Sequence, residues 1–507
     1  MAYRQGNREQ LMLFPMSIEE MVPKDDPARV YDAFVDNLDF EKLDFKMNFS
    51  KVGNPEYDPK SMLKVLLYGY SYGLKSSRQI ERAVYHNVIF IWLAGGLKPD
   101  HITIARFRKR NKTLLKQIFK ECAQLCIKLN LIAGNVLFVD GSKIRANAGI
   151  KNSCKLKEGR QLLANIGHRI NVLLNACEKA DRQEEGLGSY VKLQEELNTL
   201  EKIQNKVKQV MAQMEAEGET EINTTDPDCR RMHGRQGVHS AYNAQIVVDE
   251  KHGLIVSNDV VNEANDRHQF CNQINQAQNI LGKKCQVACA DAGYENIEIA
   301  KKVADQGIAV VMPNQKQAAH KKGNMEFSKE LFRYDPQQNI YICPQGQPLR
   351  YSHFNKETNQ YLYRMKNAGD CHNCVNFGVC TTSRRGRSII RLKEEGLKEK
   401  LAIAFHSQVA QKIYKRRKET VELVFGHIKH NLRFTSFSLR GIANVRAEMA
   451  ILATVFNIRR LITLMGTSNL CAALQICQKR IPSAAKSRFL LFQRVFFPAF
   501  QPLTSIC

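Results

Sequence analysis

The sequence predicts an α/β protein: a mixed five-stranded sheet with flanking helices, preceded by an all-α region and interrupted by a helical hairpin and a small Cys-rich β segment. Three observations carry that prediction. The first is an apolar run, Val136-Leu137-Phe138-Val139, that ends in Asp140 and then Gly141-Ser142. Uncharged β-branched and aromatic residues read as a buried strand. The second is the same design repeated at Cys285-Gln286-Val287-Ala288-Cys289-Ala290-Asp291-Ala292-Gly293. The third is a change of period, helical from Ala28 to about Leu131 and strand-like after Thr224-Thr225-Asp226-Pro227-Asp228. Gly141 and Ser142 are expected to end the first strand. Asp140 would then stand at its carboxyl edge, where open α/β sheets place ligands.

Length and charge set the outer limits. A chain of 507 residues suffices for two to four domains and a sizeable core. Lys and Arg number 75 against 50 acids, a net charge of +25 that favours a polyanionic partner. Membrane attachment is the competing use of basic charge, but no apolar run approaches the about eighteen residues a spanning helix needs. The N-terminus also lacks the apolar core of a signal peptide. Cys122, Cys126, Cys177, Cys285 and Cys289 lie scattered in apolar segments, which suits a reduced, cytoplasmic protein.

Taken in order, residues 1–27 read as a polar arm. Asp58-Pro59 opens a helix whose apolar side is Met62, Leu63, Val65, Leu66 and Leu67, and Ser76 with Gln79 makes a capping box for 77–86. A longer helix from Thr103 carries Arg106, Arg108, Lys109, Arg110, Lys112, Lys116 and Lys120. Short helices followed by a basic one resemble a helix-turn-helix DNA reader, with Arg106, Arg108, Lys109 and Arg110 as the contacts. The alternative is a solvated outer face. From 151 to 222, apolar residues spaced by three and four on either side of Glu185-Gly186-Leu187-Gly188-Ser189 predict an antiparallel helical hairpin, structural or dimer-forming rather than catalytic. Ala244–Asp249 and Leu254–Ser257 form a strand hairpin, and a helix follows over Arg267–Leu281. The Asp291 strand, a helix over Glu295–Gln306 and a strand over Ile308–Pro313 complete the series. That is the strand and helix order of a ribonuclease H-like domain.

Residues 314–400 interrupt it. Cys343, Cys371, Cys374 and Cys380 there suit a structural, tetrahedral zinc ion, against the alternative of four unconnected reduced thiols. A helix over 407–430 then presents Val421, Val424, Phe425 and Ile428 as an apolar stripe with Glu422 beside it. A carboxylate there is costly unless paired or bound to metal, and a salt bridge to Lys418 is the simpler explanation. Glu419, the rival acid, lies among charges and reads as solvent-facing. The chain thus divides into a helical region at 1–131, a sheet domain assembled from 132–150, 223–313 and 401–465, the hairpin at 151–222, the Cys-rich insertion at 314–400 and a basic, aromatic tail at 466–507. No function is assigned to the tail.

Asp140, Asp291 and Glu422 are the right ligands for two Mg2+ or Mn2+ ions, hard cations that prefer oxygen. Two such ions about 4 Å apart activate an attacking hydroxyl and stabilise the leaving oxygen of a phosphodiester. No histidine base or nucleophilic serine is required.

With these residues in view, the chain resembles the DDE transposases of bacterial insertion sequences over most of residues 30–465. The strongest segments are Phe138-Val139-Asp140-Gly141-Ser142, Tyr242-Asn243-Ala244-Gln245 leading to Asp249, Ala290-Asp291-Ala292-Gly293-Tyr294, and Tyr414 to Lys429. The last is similar to the family's Y-R-E-K signature, with Tyr414, Glu422 and Lys429 matching. Arg417 lies five residues before Glu422 and Lys418 four, so both stand as DNA contacts. Cysteines spaced like these four also occur in relatives with a large insertion after the fifth strand. The resemblance implies that the helical region binds terminal inverted repeats and that Tyr414 and Lys429 touch DNA near the cut. It also implies that the freed 3′ hydroxyls are joined to target DNA without ATP, by a homodimer or larger assembly. A hydrolytic nuclease on the same fold would use the same acids. An inactive, transposase-derived DNA-binding protein would use only the helical and cysteine segments, and three intact acids argue against it.

Overall fold

A computed structural model describes residues 16–43, 56–183, 187–218, 221–234, 237–314 and 327–479. The first half of the expected polar arm, the tip of the hairpin and the tail beyond Lys479 lie outside the described residues.

The sheet domain is organised on β1 (Val136–Arg145). After β1 come the short ribbon strands β2 (Ser153–Lys155) and β3 (Glu221–Asn223), then β4 (Arg230–Gly234), β5 (Gly237–Asp249), β6 (Ile255–Val261), β7 (Val287–Cys289) and β8 (Ala309–Val311). The main sheet runs β4-β5-β1-β7-β8, with β6 also paired to β5. β5 is antiparallel to β1, β4 and β6, whereas β1, β7 and β8 are mutually parallel. Mixed α/β architecture is therefore present as expected. Gly253, at φ +67°, turns β5 into β6 where the sequence reading placed a hairpin. The buried Asp249 carboxylate anchors the start of this unit by accepting from Gly134 N (2.7 Å) and Ala133 N (3.2 Å).

Two expectations need correcting. Gly141 does not end β1: pairing with β5 continues to Arg145↔Ala241, and only the partnership with β7 stops at Phe138. Asp140 is therefore internal to a strand yet at the end of its parallel pairing. The basic helix from Thr103 is two helices, His101–Arg110 and Lys112–Lys128, broken where the Asn111 side chain bonds the Phe107 carbonyl (2.9 Å). Asp100 caps the first, accepting from Thr103 N at 2.6 Å. The two earlier start signals hold. Asp58 caps Pro59–Ser71 through Ser61 N, and Ser76 with Gln79 forms the capping box of Ser77–His86.

The sequence reading did not single out the element at the centre of the molecule. Helix Ile442–Met465 is buried without a break from Ala447 to Ile458. On one side the N-terminal helices Pro59–Ser71 and Lys112–Lys128 pack against it, and on the other β6 does. Asn457 extends the edge of β6, its amide donating to Ile255 O (2.8 Å) and accepting from Ile255 N (2.9 Å). One continuous hydrophobic cluster joins the N-terminal helices to the sheet. The hairpin helices Leu156–Gln183 and Leu187–Glu217 are antiparallel, clasped by Arg160–Glu215 and Arg169–Glu196 ion pairs, with a small separate cluster at their base. Among the described residues no single helix is long and apolar enough to cross a membrane. Only the pair Ile442–Met465 and Thr467–Ile476, bent by 108°, has the length and composition together, and its long member is core.

Candidate active site

Parallel pairing brings the two strand acids side by side. Phe138 is in register with Cys289, and Asp140 and Asp291 each lie two residues further on, across neighbouring strands about 4.8 Å apart. Asp291 leaves the strand and folds its carboxylate back onto Gly293 N (2.9 Å), which starts the turn Ala292–Tyr294.

The third acid arrives on helix Gln408–Gly426, capped by Ser407. Val421, Val424, Phe425 and Ile428 are buried against the sheet as the stripe predicted, and Glu422 sits beside them with half its side chain exposed. Arg417 ties the site together. Its buried guanidinium lies 3.1 Å from Glu422 Oε1 and 3.6 Å from Asp140 Oδ1, over the ring of Tyr414 at 5.5 Å. The salt bridge expected from Lys418 is thus made by Arg417, while Lys418 and Glu419 are exposed. Arg417 was expected as a DNA contact, but here it is interior to the acid site. Beyond Gly426 the helix widens into a π turn, His427–Asn431, of a kind that recurs at functional sites. This turn delivers Lys429 Nζ to Ser142 Oγ at 2.6 Å, two residues from Asp140.

Electrostatics at the two strand acids are strained. Burial pushes the Asp140 carboxyl up to about 7; Arg417 opposes this, while Asp291 and Glu422 reinforce it. Asp291 is also raised, chiefly by burial, again against the pull of Arg417. Buried negative charge therefore exceeds what one guanidinium offsets, and Nε and Nη1 of that guanidinium lack hydrogen-bond partners. The donor set, carboxylate oxygens from two largely buried acids and one half-exposed one, fits a hard divalent cation. Among the described residues, however, no three His, Cys, Asp or Glu side chains stand at coordination spacing. Arg417 lies between two of the acids instead.

A fourth acid, Asp266, escaped the sequence reading. It stands beneath Gly141, where an added Cβ would collide with Gln245 Nε2 and lie 2.8 Å from Asp266 Oδ1. That glycine is required by close approach rather than by a strand end.

Of the expected DNA contacts, Arg106, Lys109 and Arg110 are exposed, and Arg106 and Lys109 line an open groove with Ser76, Ser77, Arg78 and His101. Arg108 is a correction. It is buried, and its guanidinium donates to Tyr70 OH (3.0 Å), Lys75 O (2.8 Å) and Ser77 Oγ (2.9 Å). Tyr70 in turn donates to Glu448 on the central helix (2.8 Å). Buried and committed to this internal relay, Arg108 does not face solvent, where a phosphate would approach. Ile104, one helical turn earlier and buried, was the available signal.

The Cys-rich segment forms its own sheet from β9 (Arg333–Asp335), β10 (Ile340–Ile342), β11 (Pro348–Asn355), β12 (Gln360–Met365) and β13 (Ser388–Leu392), in the order β13-β12-β11-β10-β9. Cys343, Cys371, Cys374 and Cys380 line one cavity. Backbone N–H groups of Gln347, Arg387 and Asn376 point at the sulfurs of Cys343 (3.3 Å), Cys371 (3.4 Å) and Cys374 (3.5 Å). The Cys380 thiol is raised by burial and, against Arg387, by the other three.

Comparison with known families gives two matches. Residues 16–110 match the family model described as Transposase domain (DUF772), and residues 342–462 match that described as Transposase DDE domain. The second match contains Glu422, Arg417 and the four cysteines; neither contains Asp140 or Asp291. No curated protein and no solved structure matches the chain.

Proposed function

The chain is a DDE transposase of insertion sequences, and on that premise we propose that Asp140, Asp291 and Glu422 are its catalytic triad. In this reading the helical region binds the element's terminal inverted repeats. The triad cleaves phosphodiester bonds at the ends, and the freed 3′ hydroxyls are transferred to target DNA. The observation that carries it is the register of Asp140 and Asp291 on parallel strands, with Glu422 joined to Asp140 through one guanidinium. The strand order β6-β5-β1-β7-β8, three antiparallel and then parallel, supports a ribonuclease H-like core.

The three carboxylates would hold two Mg2+ or Mn2+ ions, which when bound supply Lewis acidity to the attacking and leaving oxygens. The remaining tasks fall to the chain. Asp140 gives up the proton it retains near neutrality. Arg417 releases the carboxylates and turns its N–H groups toward a phosphate. Lys429, braced on Ser142, and Tyr414 line the same edge and face the DNA strand at the cut. Lys418, Arg106, Lys109 and Arg110 contribute solvent-facing charge for the flanking duplex. Cutting two ends together favours a homodimer or larger assembly on DNA in the bacterial cytoplasm.

The test is Mn2+-dependent cleavage of terminal-repeat DNA by the full chain and by Asp140→Asn, Asp291→Asn and Glu422→Gln. If these variants, folded by circular dichroism, cut as well as the parent protein, the triad is refuted. We further propose that the four cysteines hold a structural zinc ion, because three of the sulfurs already accept backbone N–H groups around one cavity. One zinc per chain by elemental analysis, lost in Cys374→Ser, is the expected result; zinc-free protein of unchanged stability would sink it.

A further inference from the structure

A fourth acid approaches β1 on the face opposite Asp140. In the antiparallel ladder Gly141 faces Gln245 and Lys143 faces Asn243, so these four positions share one face. Asp140 and Ser142 point to the other. Asp266, in the loop between β6 and helix Phe270–Leu281, reaches onto the first face and is largely buried there. Its carboxylate accepts from Asn243 Nδ2 (2.6 Å) and Gln245 Nε2 (2.8 Å) and pairs with Lys143 Nζ (3.1 Å). Gln245 is held in one orientation, because its nitrogen also donates to Asn243 Oδ1 (3.0 Å) while its oxygen accepts from the Tyr294 hydroxyl. Tyr294 is buried and closes the turn that begins at Asp291.

We propose that Asp266 is the positioning residue of this active site, clamping the strand of Asp140 and the turn of Asp291 to each other from beneath the sheet. One arm runs through Lys143, three residues past Asp140 on the same strand. The other runs through Gln245 and Tyr294 to the Asp291 turn. The chemistry requires a carboxylate: two amide N–H groups and an ammonium converge on it, and only an ionised acid accepts from all of them without presenting a donor of its own. Gly141 is the opening in β1 that lets the clamp approach the backbone. Asp266 lies on the face of β1 away from Asp140 and acts through the strand of Asp140 and the turn of Asp291.

This inference rests on the triad assignment, so its test is built to fail separately. The readouts are the kcat and KM of terminal-repeat cleavage and the Mn2+ concentration for half-maximal rate, with folding checked by thermal melting. Asp266→Asn is expected to lower kcat at least tenfold and to raise the Mn2+ requirement severalfold, with KM for DNA unchanged. Asp266→Glu is expected to recover part of both. Tyr294→Phe, which removes one oxygen and leaves packing intact, keeps the question open to refutation if Asp266→Asn fails to fold; it should show the same Mn2+ shift in smaller measure. Wild-type kcat and Mn2+ dependence in either variant, while Asp140→Asn is dead, would overturn the clamp and leave the triad standing. Full activity in Asp140→Asn would overturn the triad itself.

Discussion

The two faces of β1 at Gly141 treat negative charge in opposite ways. Below the strand, Asp266 is matched by an ammonium and two amides, and every acceptor has a donor. Above it, Asp140 and Glu422 share a single guanidinium, whose charge also acts on Asp291 and whose Nε has no hydrogen-bond partner. A satisfied network rigidifies, whereas an under-compensated one stores free energy that a ligand can release. The difference separates scaffold from the proposed reaction site within a few ångströms, although both are built from the same residue type.

That contrast can be broken most forcefully from above. Replacing Asp140, Asp291 or Glu422 by its amide should cost about a thousandfold in cleavage rate, the scale of losing a principal electrostatic contact in a transition state. The clamp variants should follow, about tenfold down, a smaller effect because they displace rather than remove a ligand.

Metal affinity sharpens the comparison next. If Arg417 stands in for a cation, Arg417→Gln should bind Mn2+ more tightly in the absence of DNA, by about tenfold for each 1.4 kcal/mol of competition removed, yet cleave more slowly. Weaker binding by that variant would show that Arg417 supports the cation instead. Acidification acts in the other direction. Asp140 titrates at about 7 in the folded chain against an ordinary 3.8, so folding takes up a proton between those values. Stability of the metal-free protein should therefore fall as pH rises from about 4 to 7, and Mn2+ affinity should rise over the upper part of that window. Calorimetric titration at pH 6 and 8 checks the sign, and a flat profile would contradict a buried, proton-holding Asp140.

The smallest effects belong to the basic helix His101–Arg110. Arg106→Ala, Lys109→Ala and Arg110→Ala should each lower the salt slope of repeat binding by about one without changing the melting temperature. Arg108→Ala should do the reverse, destabilising the fold by about 1–3 kcal/mol through orphaned buried partners while leaving the salt slope intact. Equal behaviour of all four would erase the distinction between the buried arginine and its exposed neighbours.

Much of the site was readable from local pattern. Asp140 and Asp291 announce themselves because a buried strand tolerates an acid only at a special place. Glu422 does so because it interrupts the stripe of Val421, Val424, Phe425 and Ile428. Arg417 belongs to that stripe too, one turn before Val421, and its burial was implicit in the same periodicity. Asp266 was not readable: it lies in the polar loop Asn262-Glu263-Ala264-Asn265-Asp266, where nothing local distinguishes it from its neighbours. The continuation of β1 past Gly141 was equally hidden, since only the presence of β5 alongside decides it.

The sequence by itself determined the periods, the caps at Asp58 and Ser76, the buried strand acids and the excess of positive charge, because each depends on residues a few positions apart. Only the tertiary structure decided which charges pair. It places Arg417 among the acids, Arg108 in the core and Asp266 under Gly141. It also threads helix Ile442–Met465 between the N-terminal helices and the sheet. The reason is physical: the energy of a buried charge is set by the partners within a few ångströms, and those partners come from distant parts of the chain.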